Sequence, residues 1–164
     1  MIFDAGPGEV FAVRNVANLV PPYAPDGAVH GVSAALEFAV QVLRVRHIVV
    51  LGHAHCGGVR AFVQEGEPLS PGDFIGKWME LIAPVAAELA PRGDRASAEF
   101  AARLEEASII RSIENLSAFP CVSVLVERGK LALHGAYFGV ARGELSVLDR
   151  ATRTFRAVTP ADAT

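Results

Sequence analysis

Apolar positions along the chain change period several times, and each change marks an element. From His30 to Arg46 (HGVSAALEFAVQVLRVR), residues Val32, Ala35, Leu36, Ala39, Val40 and Leu43 recur at helical spacing and predict an amphipathic helix. Phe38 falls partly off that stripe, which turns it toward a pocket or a partner subunit. Ile48 to Leu51 is an unbroken apolar run that reads as a buried strand, and Val59 to Val63 opens a further helix. Phe74 to Leu89 is helical with an interruption at Pro84. Ser97 to Leu116 predicts a long amphipathic helix with Ser97 as N-cap and its charged face in solvent. Val10 to Val16 (VFAVRNV) and Cys121 to Glu127 (CVSVLVE) read as strands, the second a core strand. Arg128-Gly129-Lys130 reads as a tight turn from Cys121–Glu127 into a strand over Leu131 to Tyr137, and Arg142-Gly143 as a turn into a strand over Glu144 to Leu148; together these predict an antiparallel meander at one edge. Leu19 to Ala28, Gly66 to Gly72 and Pro91 to Asp94 read as loops, and the tail after Phe155 as loose. The expected fold is α/β: one domain over 1–164, with a mostly parallel sheet flanked by helices and an antiparallel edge at the C-terminal end.

Composition sharpens this picture. Apolar residues make up 51% of the chain and mean hydropathy is +0.33. That suits a sheet covered on both faces, and a chain that buries further surface in an oligomer. A net charge of −3 offers no basic field for nucleic acid. No apolar stretch is long enough to span a bilayer, and Asp4 and Glu9 interrupt an N-terminus without a basic n-region. Two cysteines and no export signal point to the reducing cytoplasm and away from a disulfide framework.

The candidate chemistry sits in Gly52-His53-Ala54-His55-Cys56-Gly57-Gly58, between the Ile48 strand and the Val59 helix. That is the carboxyl end of a strand, where open α/β sheets bind ligands. His-x-x-Cys lets imidazole and thiolate converge on one ion, and that pair favours zinc over oxygen-seeking magnesium or calcium. A small buried thiol with an unrelated histidine is the plainer reading, and a glycine-lined phosphate cradle is a rival without a Walker or dinucleotide motif. A catalytic zinc takes three protein ligands, and the spacing supplies two. Cys121 is set aside as the third: as a strand-entry residue it would lie about 20 Å from Cys56, at about 3.3 Å per residue. His55 points elsewhere if His53 and Cys56 share an ion. His134 reads as a satisfied core histidine, and His30 and His47 as solvated.

FDAGPGEVFAVRNVANLVPPY, HGVSAALEFAV, HIVVLGHAHCGGV and GKLALHGAYF resemble the β-class carbonic anhydrases, in register from Ile2 to about Phe155. The resemblance implies zinc-dependent reversible hydration of carbon dioxide to bicarbonate, by a homo-oligomer, with zinc held by two cysteines and one histidine. His53 and Cys56 match two of those ligands. Gly57 matches the glycine whose backbone N–H helps hold bicarbonate, and Phe11, Val16 and Phe38 match positions lining the apolar carbon dioxide pocket. The family's other ligand lies in a Cys-Xaa-Asp-Xaa-Arg motif just upstream of the segment matching Ile2, on a core strand. The expectation is therefore an N-terminally truncated family domain lacking its first core strand. Two alternatives stand beside an active hydratase: an inactive remnant with weak or no zinc binding, and a carbon disulfide hydrolase on the same scaffold.

Overall fold

The computed structural model describes residues 2–64, 68, 71–90 and 97–159. Most of the Gly66–Gly72 and Pro91–Asp94 loop expectations lies outside them, as does the chain beyond 159.

A four-stranded mixed sheet forms the centre, in the order β1 (His47–His53), β2 (Ala132–Gly139), β3 (Glu144–Asp149), β4 (Thr154–Ala157). β1 and β2 run parallel, with Val50 opposite Gly135, and β2, β3 and β4 form the antiparallel meander. The α/β class and the antiparallel edge are as the sequence predicts. β4 is not: Arg156 and Ala157, at the start of the tail read as loose, pair with Val147 and Ser146.

Six helices accompany the sheet, α1 (Gly31–Glu37), α2 (Gly57–Gln64), α3 (Phe74–Met79), α4 (Ala83–Leu89), α5 (Ala98–Ser117) and α6 (Pro120–Glu127), and α5 packs directly on β1 and β2. α1 continues as a π-turn over Phe38–Val42. It stops short of the predicted Arg46 because Arg44 takes a left-handed conformation. Pro84 begins α4 and separates it from α3, the predicted interruption.

α5 is the spine. Ser97 caps it by accepting the Phe100 N–H at 3.0 Å. Its first half packs Phe100 and Leu104 against Val59, Met79, Ile82 and Val85. Its second half packs Ile109, Ile113 and Leu116 against Val50, Leu133 and Val122. Close approach to the strands depends on Gly52, where a Cβ would fall 2.7 Å from Ile109 Cδ1. Among the described residues, no strand pairs with the outer edge of β1.

Two strand expectations fail. Val10 to Val16 pairs with nothing as a strand, and only Val16–Asn18 is regular, as one 3-10 turn. Apolar alternation is not sufficient without a ladder partner. Cys121 to Glu127 is helix α6. Pro120 sits in its first turn after an extended Phe119. The segment then lays Val122, Leu125 and Val126, at helical spacing, onto the second core cluster. Burial of that stripe overrides the strand preference of its valines. Cys121 packs against this cluster, whereas Cys56 belongs to the other one, so their separation has a different cause from the one the strand reading supplied.

Candidate metal and substrate site

β1 ends at His53, and the next peptide stays tied to the sheet because Ala54 N–H donates to the Phe138 carbonyl at 2.9 Å. His55 then adopts φ +58°, turning the chain so that α2 starts at Gly57. The Cys56 carbonyl accepts the Arg60 N–H at 3.0 Å as the helix begins. The local sequence explains this geometry: a strand run ends, one residue takes a left-handed turn, and Gly58 lets the new helix crowd its neighbours. A Cβ on Gly58 would fall 2.5 Å from Val16 Cγ1.

The loop is held from below. Cys56 N–H donates to Glu105 Oε1 at 2.8 Å, and Tyr137 OH donates to Glu105 Oε2 at 2.8 Å. Glu105 is 5% exposed, a buried carboxylate bridging α5, β2 and the metal-candidate turn. Burial and the Glu105 carboxylate push the Tyr137 hydroxyl well above its ordinary range, so it stays a donor. The sequence reading assigned the charged side of α5 to solvent and missed this residue. The signal was present: Glu105 lies four residues before Ile109 and seven before Ser112, on the buried stripe.

His53 is exposed, with Nδ1 3.0 Å from the Ala54 carbonyl oxygen. A carbonyl only accepts, so Nδ1 carries the proton and Nε2 keeps its lone pair. Cys56 is buried and carries a free thiol. One imidazole nitrogen and one thiol on a single turn fit zinc in donor type. They fall short in number: among the described residues, no third His, Cys, Asp or Glu joins them. His55 lines a separate cavity of about 270 Å³ with Arg60, Gln64, Glu105 and Tyr137. None of Phe11, Val16 or Phe38 lines that cavity.

The three pocket candidates lie apart from it. Phe11 and Phe38 pack on each other, ring centroids 5.9 Å apart. Val16 sits against Gly58, and its carbonyl accepts the Trp78 indole N–H at 2.8 Å. All three remain open, 43%, 44% and 47% exposed for Phe11, Val16 and Phe38. The segment carrying Val16 is clamped to α5: Ser112 Oγ donates to the Asn18 carbonyl and accepts the Val20 N–H, and Asn115 Nδ2 donates to the Val20 carbonyl. Asn15 Oδ1 and Asn18 Nδ2 are buried without protein partners. Asn18 lies beside Gly52, so an unmet donor stands next to the strand end that leads into the site. Gly57 begins α2 with nothing within 4 Å of a would-be Cβ, and the N–H groups of a first helical turn have no intrahelical acceptor.

Comparison with known proteins places this geometry. The carbonic anhydrase family profile matches residues 1–145. The carbonic anhydrase of Pseudomonas aeruginosa is 37% identical over 152 residues, covering 91% of this chain and 66% of the relative. The β-carbonic anhydrase CcaA superposes with a TM-score of 0.85 at 24% identity, over 96% of this chain and 70% of that one, a likeness of fold. One of two tetrameric β-carbonic anhydrases from Sordaria macrospora matches with a TM-score of 0.74 at 26% identity, over 96% of this chain and 74% of that one. The chain spans 44% to 66% of the length of four curated relatives that it matches. The profile match over residues 1–145, with relatives 36% and 37% identical over 80% and 91% of the chain, makes the chain a member of the β-class carbonic anhydrase family.

Proposed function

We propose that the chain carries the catalytic core of a zinc-dependent carbonic anhydrase, interconverting carbon dioxide and bicarbonate. The observation that carries this reading is the turn His53–Gly58, which sets an imidazole, a thiol and the first N–H groups of α2 on one short loop at the carboxyl end of β1. His53 Nε2 and Cys56 Sγ would hold the metal. When bound, zinc supplies a water acidified toward pKa about 7. The rest is the work of the chain. The Ala54 carbonyl fixes the ring orientation and tautomer of His53. Glu105 fixes the turn through the Cys56 N–H. Gly57 offers a backbone N–H toward the charge that grows on bicarbonate, at a helix N-terminus that favours anions. Phe11, Val16 and Phe38 offer an apolar wall for uncharged carbon dioxide. The tetrameric relatives support a homo-oligomer, and the two free cysteines support a cytoplasmic setting.

One observation favours a second reading, an inactive member with weak or no zinc binding. Among the described residues, no group of three His, Cys, Asp or Glu side chains stands ready to hold a metal ion. Zinc content and carbon dioxide hydration of the purified 164-residue chain decide between them. The hydratase reading expects about one zinc per chain, in line with a three-ligand site, and turnover. Zinc and turnover should both be lost in His53→Ala and kept in Cys121→Ala. A chain without zinc and without hydration establishes the inactive reading. Zinc lost in Cys121→Ala overturns the ligand assignment.

A further inference from the structure

A second pair of ring nitrogens lies on the face of β1 and β2 turned away from α5. His47 opens β1 and His134 lies in β2, and His47 Nδ1 stands 3.1 Å from His134 Nε2. The ring centroids are 5.3 Å apart with 40° between planes. His47 registers with Ala132, and Val49 with His134, so the rings lean toward each other along a diagonal of the parallel pair. Both side chains are exposed. His47 opens β1 six residues before His53, and His134 lies opposite Val49, four residues before it, which at about 3.3 Å per residue sets the pair about 13–20 Å from His53 along the strands. The carbon dioxide chemistry leaves it unused. It also corrects the expectation of His134 as a core histidine.

We propose that His47 and His134 chelate a borderline transition-metal dication, of the Cu²⁺, Ni²⁺ or Zn²⁺ class, at a site separate from the His53–Cys56 turn. The geometry carries the proposal. Nitrogens 3.1 Å apart subtend about 100° at an ion bonded to both at about 2.0–2.1 Å. That angle falls between octahedral and tetrahedral values, and the two strands hold both Cα atoms in place. In the metal-free pair one N–H lies between the two nitrogens. Binding requires both lone pairs, so that proton moves to the other nitrogen of its own ring. His47 then donates through Nδ1 and His134 through Nε2, and two neutral rings release no net proton. Burial, with His47 and Arg150 nearby, holds the His134 pKa below its ordinary value and favours the neutral, ligating form. Arg150 also repels a dication, so it limits affinity. No third His, Cys, Asp or Glu joins the pair among the described residues. Water completes the coordination sphere, which makes the site open and exchangeable, with Cu²⁺ held more tightly than Ni²⁺ or Zn²⁺.

The test is calorimetric titration of Ni²⁺ at pH 7.5 into the full chain carrying His53→Ala, which removes the imidazole of the His53–Cys56 turn. One Ni²⁺ should bind. Its dissociation constant should rise at least tenfold on adding His47→Gln or His134→Gln, and fall severalfold on adding Arg150→Gln. Circular dichroism checks folding of each variant, with His134→Asn as the substitute should His134→Gln unfold. Ni²⁺ binding that is absent in the His53→Ala chain, or unchanged by loss of either histidine, overturns the proposal.

Discussion

The two faces of the β1–β2 pair are built on opposite principles. Toward α5 lie Ile48, Val50 and Gly52 of β1 beside Leu133, Gly135 and Tyr137 of β2, with Ile109 and Ile113 seated over the glycines. That face is close-packed, and its one buried carboxylate is satisfied by two donors. The opposite face carries His47, Val49 and His53 beside His134, all exposed. Stability is concentrated where backbone meets side chain at van der Waals distance. The imidazole side chains of His47, His53 and His134 project from the more exposed face, on which Ala136 is buried. A site that must admit an ion or a small substrate cannot also be part of the dense interior, and this pair of strands separates the two roles by the period-two alternation of a strand.

Substitutions on the two faces should therefore differ in size. The largest loss belongs to Ile109→Ala, which empties a fully buried position and should cost about 2–5 kcal/mol in urea unfolding. A loss under 1 kcal/mol, well below that range, would mean the packed face is not the source of stability. Tyr137→Phe removes the hydroxyl donor to Glu105 and should cost about 1.5–3 kcal/mol, with a matching fall in zinc retention if Glu105 braces the turn. Gly52→Ala forces a Cβ toward Ile109 and should cost about 1–3 kcal/mol by overpacking. The paired substitution Gly52→Ala with Ile109→Val should recover part of it, since the two sites touch.

The open face should respond chiefly to pH. His134 has its folded pKa held below the unfolded value, so its contribution is intact above the unfolded histidine value of about 6.5. Below that value the unfolded chain binds the proton more readily, and stability falls as pH drops toward the folded pKa. Urea midpoints at pH 7.5 and pH 5.5 should differ less in His134→Gln than in the parent. An identical pH dependence in the two proteins would show that the His47–His134 contact is not energetically coupled to folding.

Much of this was legible in the chain. The His30 and Ser97 helices, the Ile48 strand, the Pro84 break and the C-terminal meander follow from period, capping and turn chemistry, which are local. The His53–Cys56 turn was legible because a strand run, a histidine, a cysteine and two glycines lie adjacent in sequence. The errors share a cause. Cys121 to Glu127 and Val10 to Val16 have similar apolar content, yet one is a helix and the other no regular strand, because a core groove receives the first and no strand partner receives the second. Glu105 was read as solvated although its spacing places it on the buried stripe, since a carboxylate is expected inside only when partners await it. Those partners, the Cys56 N–H and the Tyr137 hydroxyl, stand 49 and 32 residues away along the chain.

The sequence by itself determined the α/β class, the spine helix, the His53–Gly58 turn and the family, because each is written in contiguous residues whose local preferences agree. Only the tertiary structure decided that Glu105 anchors that turn, that α6 is helical, and that His47 and His134 meet at 3.1 Å. The reason is physical: such contacts join residues far apart in the chain, and their energy exists only once the strands and α5 have brought them within bonding distance.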